Sequence, residues 1–235
     1  MKAQTRKTLQ VFLVIALAAA AVRIGVIFYH RRQANQPRQQ QEQLMNLDYY
    51  VTPKKLHAYD LPSARELTKQ PVWVREGFRY SYFNYDAGLR RADLTRPVGT
   101  LGPIEKLDVT DVVTQKMPDG PSQVLAVFKK GDEKFAVPIG TEQKGDYNFF
   151  VDEVFYIQDP KELYKHWPTD VWQAIEQHQV KPGMNEIQVA FAIGMGRPHP
   201  INGEEKTVDY PNGGNPVIVT FRNGRAVTIS PGAQG

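Results

Sequence analysis

The chain has 235 residues, 41% hydrophobic and 23% charged, which is enough apolar content for a packed core and too much for wholesale disorder. Its net charge of +4 belongs to the N-terminus. Residues 1–45 hold seven Lys/Arg against Glu42, leaving 22 cations and 24 acids in residues 46–235, a poor balance for general binding of duplex DNA. The absence of cysteine excludes disulfides, thiolate zinc sites, cysteine nucleophiles and a lipidated N-terminal cysteine.

Residues 1–8 form a basic tail with Lys2, Arg6 and Lys7. Leu9–Tyr29 follows as a 21-residue run interrupted by Gln10, Arg23 and Gly25. As a helix it spans roughly 31 Å, which matches a hydrocarbon core of about 30 Å. A cleaved signal peptide would need only Leu9–Leu17 and the small residues Ala18–Ala21. Apolar character resumes at Val22 and runs on to Phe28, so the expectation is an uncleaved single-pass anchor in the inner membrane. Arg23 either snorkels to the interface or contacts a partner helix. Basic residues flank both ends, and the short N-tail favours a body on the periplasmic or extracytoplasmic side. Residues 30–44 are a polar spacer, with six glutamines between Gln33 and Gln43.

Residues 45–158 read as a β-rich domain. Asp60 or Ser63 caps a short helix through Ala64–Leu67. Val72–Tyr85 is strand-like, and Lys106–Thr114, Gln123–Phe128, Lys134–Ile139 and Tyr147–Ile157 are further strand candidates. The Lys129–Glu133 turn pairs Val124–Phe128 with Phe135–Ile139 as a hairpin. Pro138 marks the end of the second strand or a sheet edge. Five short strands joined by polar turns suggest a curled sheet or small SH3-like barrel.

Residues 159–235 read as an α+β lobe, so the fold class of the chain is α+β with one N-terminal transmembrane helix. Asp159-Pro160 with Glu162 starts one helix, and a second follows Pro168 with Val171, Trp172 and Ile175 inward. A third begins at Asn185, with Gln188 completing a capping box and Val189, Ala192 and Ile193 inward, and stops at Gly194 or Gly196. Val217–Phe221 and Ala226–Ile229 form a closing hairpin around Asn223-Gly224, both residues being tolerant of positive φ.

Several of these residues carry a resemblance. Gly183-Met184-Asn185, Gln188-Val189, Ile193-Gly194 with Pro198, Val208-Asp209-Tyr210 and the stretch Val219–Val227 resemble motifs of the SmpA/OmlA (BamE-like) family of small envelope proteins. The family has Gly-Met-Thr, Gln-Val, Leu-Gly-x-Pro, Trp-x-Tyr and a closing hairpin at these places. The resemblance is confined to residues 183–229 and implies an α+β lobe that binds other envelope proteins without catalysis. Asn185 stands for Thr, Met195-Gly196-Arg197 is inserted before the proline, and Val208 stands for Trp. The family's lipid-bearing cysteine is missing, and the membrane span takes its place.

The candidate partner-contact residues are Arg23, Trp73, Tyr80, Tyr82, Tyr85, Tyr210 and Asn212. Trp73, Phe78, Tyr80, Tyr82, Phe83 and Tyr85 lie among Arg75, Arg79, Arg90 and Arg91, a mixture suited to an interface or to stacking, while a strand with one buried aromatic face is the plain alternative. Asn212–Pro216 is a loop beside Tyr210. His30, His57, His166, His178 and His199 lack metal-ligand spacing, Asp152, Glu153 and Asp159 read as surface acids and a cap, and Gly194-Met195-Gly196 reads as a helix stop. No nucleophile, phosphate-loop or metal-protease motif occurs, so no catalytic residue, cofactor or metal and no nucleic-acid partner is expected. The expected role is a non-catalytic interaction or scaffold subunit of a membrane or envelope complex, with a wall- or glycan-binding SH3-like module and an unrecognised hydrolase as alternatives.

Overall fold

The run Val124-Leu-Ala-Val-Phe128 has no polar face, and a strand of this kind must be covered on both sides. The computed structural model, which describes residues 25, 51–77, 80–200 and 205–233, shows how the chain meets that demand. The fold is mixed α+β with more strand than helix. Its largest sheet takes the order β3-β2-β7-β6-β5, with β2 at Tyr80–Asp86, β3 at Arg91–Leu101, β5 at Val109–Gln115, β6 at Ser122–Lys130 and β7 at Glu133–Gln143. A short strand, β8 (Asp146–Phe149), also pairs with β7, and all the pairings are antiparallel.

Alternation along these strands sorts the side chains into two cores. Val112, Val124, Ala126, Phe128, Val137 and Ile139 face one way, where Leu101 and the half-buried Tyr80 and Tyr82 join them. On that side they meet Ala64 and Leu67 of a strap formed by residues 52–70, and a three-stranded sheet in the order β4-β1-β9. In that sheet β1 is Val72–Val74, β4 is Lys106–Leu107 and β9 is Phe155–Tyr156. Val113, Leu125, Val127 and Ala136 face the other way, covered by Phe83, Tyr85, Ala92 and Leu94 of the sheet's own β2–β3 arm.

The arm is bent by the register of β3. That strand takes five residue steps, from Ala92 to Pro97, where β2 takes two, from Tyr85 to Phe83. The surplus is gathered at Asp93, whose Oδ1 accepts from Thr95 Oγ1 at 2.6 Å. The bend carries the start of β3 to the end of β5, and there Gln115, 6% exposed, closes the sheet. Its Oε1 accepts from Ala92 N–H at 2.7 Å and its Nε2 donates to the Ala92 carbonyl at 3.0 Å. One side-chain amide thus satisfies both backbone groups of a residue that no strand reaches on that side.

A second core lies C-terminal. Asp159 accepts from Lys161 N–H at 2.8 Å and starts α3 (Pro160–Leu163); α1 (Leu61–Ala64) and α2 (Val151–Val154) precede it in the chain. Then come α4 (Thr169–Glu176) and α5 (Glu186–Ile193), and the Asn185–Gln188 capping box is formed at 2.9 Å in both directions. Gly194 ends α5 at φ 87°, a conformation that costs an L-residue dearly. Tyr164 stacks on Trp167 at 4.4 Å, and Trp167 leans on Trp172 at 5.2 Å. These rings and α5 pack on one face of the sheet β10-β11-β12-β13, through Val208, Tyr210, Val219, Phe221 and Ala226. The strands are β10 (Arg197–Pro198), β11 (Glu205–Tyr210), β12 (Val217–Arg222) and β13 (Arg225–Pro231). Thr52–Gly235 is one compact unit in which Ile104 reaches from the β4 side into this second core.

The expected caps and the two hairpins stand as read: Phe128 pairs with Phe135, and Arg222 with Arg225 across Asn223-Gly224, both at positive φ. Four strand readings need correction. Val72–Tyr85 is two strands in two sheets, and Lys106–Thr114 is divided between β4 and β5, because the chain crosses from one sheet to another in each. Tyr147–Ile157 is broken by the α2 turn. Pro138 is internal to β7, where its missing N–H is harmless because β2 pairs only as far as Ala136 and β8 begins opposite Gly140. β3 and β10 were not expected as strands. Among the described residues no helix is long and apolar enough to cross a membrane. Apart from Gly25, the expected anchor 9–29 and the spacer 30–44, with Arg23 and His30, lie outside the described residues.

Replacing Gln115 by leucine leaves the Ala92 N–H and carbonyl buried without partners, and the expected loss is about 2–4 kcal/mol of folding stability. A urea unfolding midpoint checks it, and Gln115→Leu matching the parent chain would show that the clamp is dispensable.

Candidate interaction site

The aromatic segment of residues 73–85 divides between several environments. Phe78 and Arg79 lie outside the described residues. Tyr82 is half-buried in the first core, edge-on to Phe135 at 5.2 Å and Phe128 at 5.9 Å, with Lys130 Nζ 4.5 Å above its ring. Tyr80 donates its hydroxyl to the Glu153 carbonyl, and burial raises the pKa of its phenol. Phe83 and Tyr85 cover the opposite face of the sheet. Burial raises the pKa of Tyr85 also.

Trp73 differs. It is half-buried on β1, with Lys106 Nζ 5.9 Å from its ring, and it borders an open cleft of about 300 Å³ between the β1–β4 region and α3–α4. Pro103, Ile104, Trp172 and Ile175 complete the apolar lining. Around the rim Lys161 pairs with Glu176 at 2.6 Å, and Glu105 pairs with Lys130 at 2.7 Å. Ile104 holds φ 60°, a left-handed conformation that a β-branched residue adopts at a cost of roughly 1–2 kcal/mol. It is kept there by its N–H donating to the Val74 carbonyl at 2.8 Å and by Val74 N–H donating to Glu105 at 2.9 Å. His178 lines the same cleft, also at positive φ, with Nδ1 2.9 Å from the Ala192 carbonyl. Two strained residues therefore shape one cleft at the meeting of the two cores.

Beside it a buried tyrosine meets a half-buried carboxylate, a pair that the sequence did not announce. Tyr156, 1% exposed, donates its hydroxyl to the Glu76 carboxylate, 2.7 and 2.8 Å from its two oxygens. Burial first, and the Glu76 charge second, push the phenol far above its ordinary value. Arg75 lies 5.8 Å from the Tyr156 ring centroid and donates to the Asp152 carbonyl at 2.9 Å.

The remaining candidates are dispersed. Tyr210 is 3% exposed in the second core, so its ring supplies packing and offers a partner almost no surface. Asn212 is half-buried in the 3-10 turn at 212–214 that joins β11 to β12. His57 pairs with Asp152 at 3.2 Å and His199 with Asp209 at 2.7 Å, while His166 lies beside Tyr164 and Trp167. Among the described residues no cluster of His, Asp and Glu is placed to hold a metal ion. A second hollow, of about 470 Å³, opens beside the Gln115 clamp, with Leu89 at its lip 75% exposed. No family model matches the chain, and no curated protein or solved structure matches it significantly.

The Tyr156–Glu76 bond yields a prediction with a sign. Above about pH 10 the unfolded chain releases the Tyr156 proton while the folded chain keeps it, so stability present below that pH is lost as pH rises. Tyr156→Phe is expected to cost about 1.5–3 kcal/mol at pH 7 and to flatten the decline between neutral and alkaline pH. Urea midpoints of both proteins across that range check it.

Proposed function

We propose that this chain is a membrane-anchored, non-catalytic interaction subunit of a membrane or envelope assembly, held by residues 9–29 with its body on the extracytoplasmic side. The observation that carries the reading is the Trp73 cleft. Its floor is the buried Pro103, Trp172 and Ile175, the half-buried Trp73 and Ile104 stand at its sides, and on its rim Lys161 pairs with Glu176. An apolar floor with a polar rim is the anatomy of a pocket that takes one anchoring side chain from a partner, and tryptophan is among the residues that dominate such contacts.

The C-terminal lobe adds support. A capped helix, α5, followed by antiparallel strands closing at Asn223-Gly224 is the kind of α+β lobe that the resemblance to the SmpA/OmlA family implies. The curled order β3-β2-β7-β6-β5 likewise suits an SH3-like reading of the middle region. The glycan-binding alternative finds less support, because Tyr82, Phe83 and Tyr85 turn their rings into the sheet's own cores.

The test is affinity isolation of the tagged full-length protein in mild detergent beside its Trp73→Ala variant. The same membrane or envelope subunits are expected near stoichiometry with the parent chain. Their recovery should fall by about thirtyfold with the variant, the effect of losing a central tryptophan anchor. A lone protein, or recovery indifferent to Trp73, overturns the reading. Sedimentation with purified cell wall tests the glycan alternative in parallel.

A further inference from the structure

The turn between β2 and β3 holds a large apolar side chain out in solvent. Asp86 opens it, with its Oδ1 accepting from Gly88 N–H at 2.8 Å and from Leu89 N–H at 2.9 Å. Arg90 closes it at φ 51°, and the Arg90 guanidinium reaches Asp111 of β5 at 3.1 Å. Leu89 is therefore carried on a turn tied at both ends, and it is 75% exposed. An aspartate that engages two N–H groups fixes such a turn locally. A partner that covers Leu89 has little further backbone to order, which lowers the cost of binding.

Beside this knob is a hole. The hollow of about 470 Å³ at the Gln115 clamp has Leu94, Met117 and Pro118 in its lining and Leu89 at its lip. Its charged lining residues are Asp86, Arg91 and Asp93, and among the described residues none of these three is in an ion pair. The two segments that build the patch, residues 86–96 and 111–119, carry four cations and four acids, so a second copy meets it without net repulsion. A patch with a knob, a hole, a free cation and two free carboxylates is complementary to itself. A two-fold axis through it seats each knob in the other copy's hole and sets each Arg91 against the other copy's acids, so that every favourable contact forms twice.

We infer that this patch is a contact between two copies of the chain, paired about a two-fold axis with Leu89 of each seated in the hollow of the other. One turn and one hollow from each copy make a small interface, of the weak class that buries less than roughly 1,200 Å² in total. The contact shares no lining residue with the Trp73 cleft and does not depend on the anchor reading.

The chain's lack of cysteine makes the test clean. Full-length Leu89→Cys and Met117→Cys proteins, carrying different tags, are mixed in mild detergent under mild oxidation. Each mixed pair then keeps one unaltered knob and hole. A disulfide-linked pair bearing both tags is expected to form about tenfold faster than when Leu89→Cys is mixed with Thr228→Cys, an exposed control on β13. Adding Leu89→Glu to the Met117→Cys copy puts a carboxylate into the remaining hole and is expected to slow the linking by about tenfold. Urea midpoints confirm that each variant is folded, and Pro118→Cys replaces Met117→Cys if that protein is not. Linking no faster than the Thr228→Cys control, or a rate indifferent to Leu89→Glu, overturns the pairing.

Discussion

One buried amide holds the large sheet in its curled form. β6 has apolar residues on both faces, and the second face is covered only because the β2–β3 arm folds back across it. Each large apolar side chain so covered contributes roughly 1.5–3 kcal/mol relative to exposure. The arm can fold back only if the backbone at Ala92 finds partners at the closure, and the Gln115 amide provides a donor and an acceptor at once. The surplus residues of β3 give the bend, and the glutamine fixes it. Arg90 adds an exposed ion pair to Asp111 of β5 at 3.1 Å, a contribution that solvent keeps small.

The second dependence lies where the two cores meet. Ile104 leaves the β4 side and enters the helical core, and it does so in a conformation that its own branching disfavours. Two backbone hydrogen bonds to Val74 hold it there. The same turn sets one wall of the Trp73 cleft, so the shape of the cleft and the seating of the two cores are a single geometric fact. The Tyr156–Glu76 bond works nearby, joining β9 to the segment that leaves β1.

What could be read in the sequence was local. The cap at Asp60, the capping box at Asn185, the Asp159-Pro160 start and the hairpins at Lys129–Glu133 and Asn223-Gly224 each complete their signal within a few residues. β3 escaped because an edge strand with Arg91, Asp93, Thr95, Arg96 and Pro97 in sequence shows no alternation of apolar residues. The passage from β1 to β2 was hidden because Glu76-Gly77 looks like an ordinary interruption of one strand. Trp73 stood out as an aromatic among arginines, but its cleft did not, since Ile104 and Trp172 come to it from distant parts of the chain. Gln115 and Tyr156 were equally invisible, because each matters through a partner that only tertiary structure brings near.

The seating of the strap has a mechanical side. A pull from the N-terminal side of the body meets first the Lys54–Ile157 hydrogen bond and the bond from Lys54 N–H to Gln158 Oε1, each worth about 1 kcal/mol net. Beyond them Leu56, Ala58 and Leu61 come away from the first core one after another, whereas the β6–β7 ladder joins nine residue pairs side by side. The strap is therefore released stepwise, before any sheet is loaded.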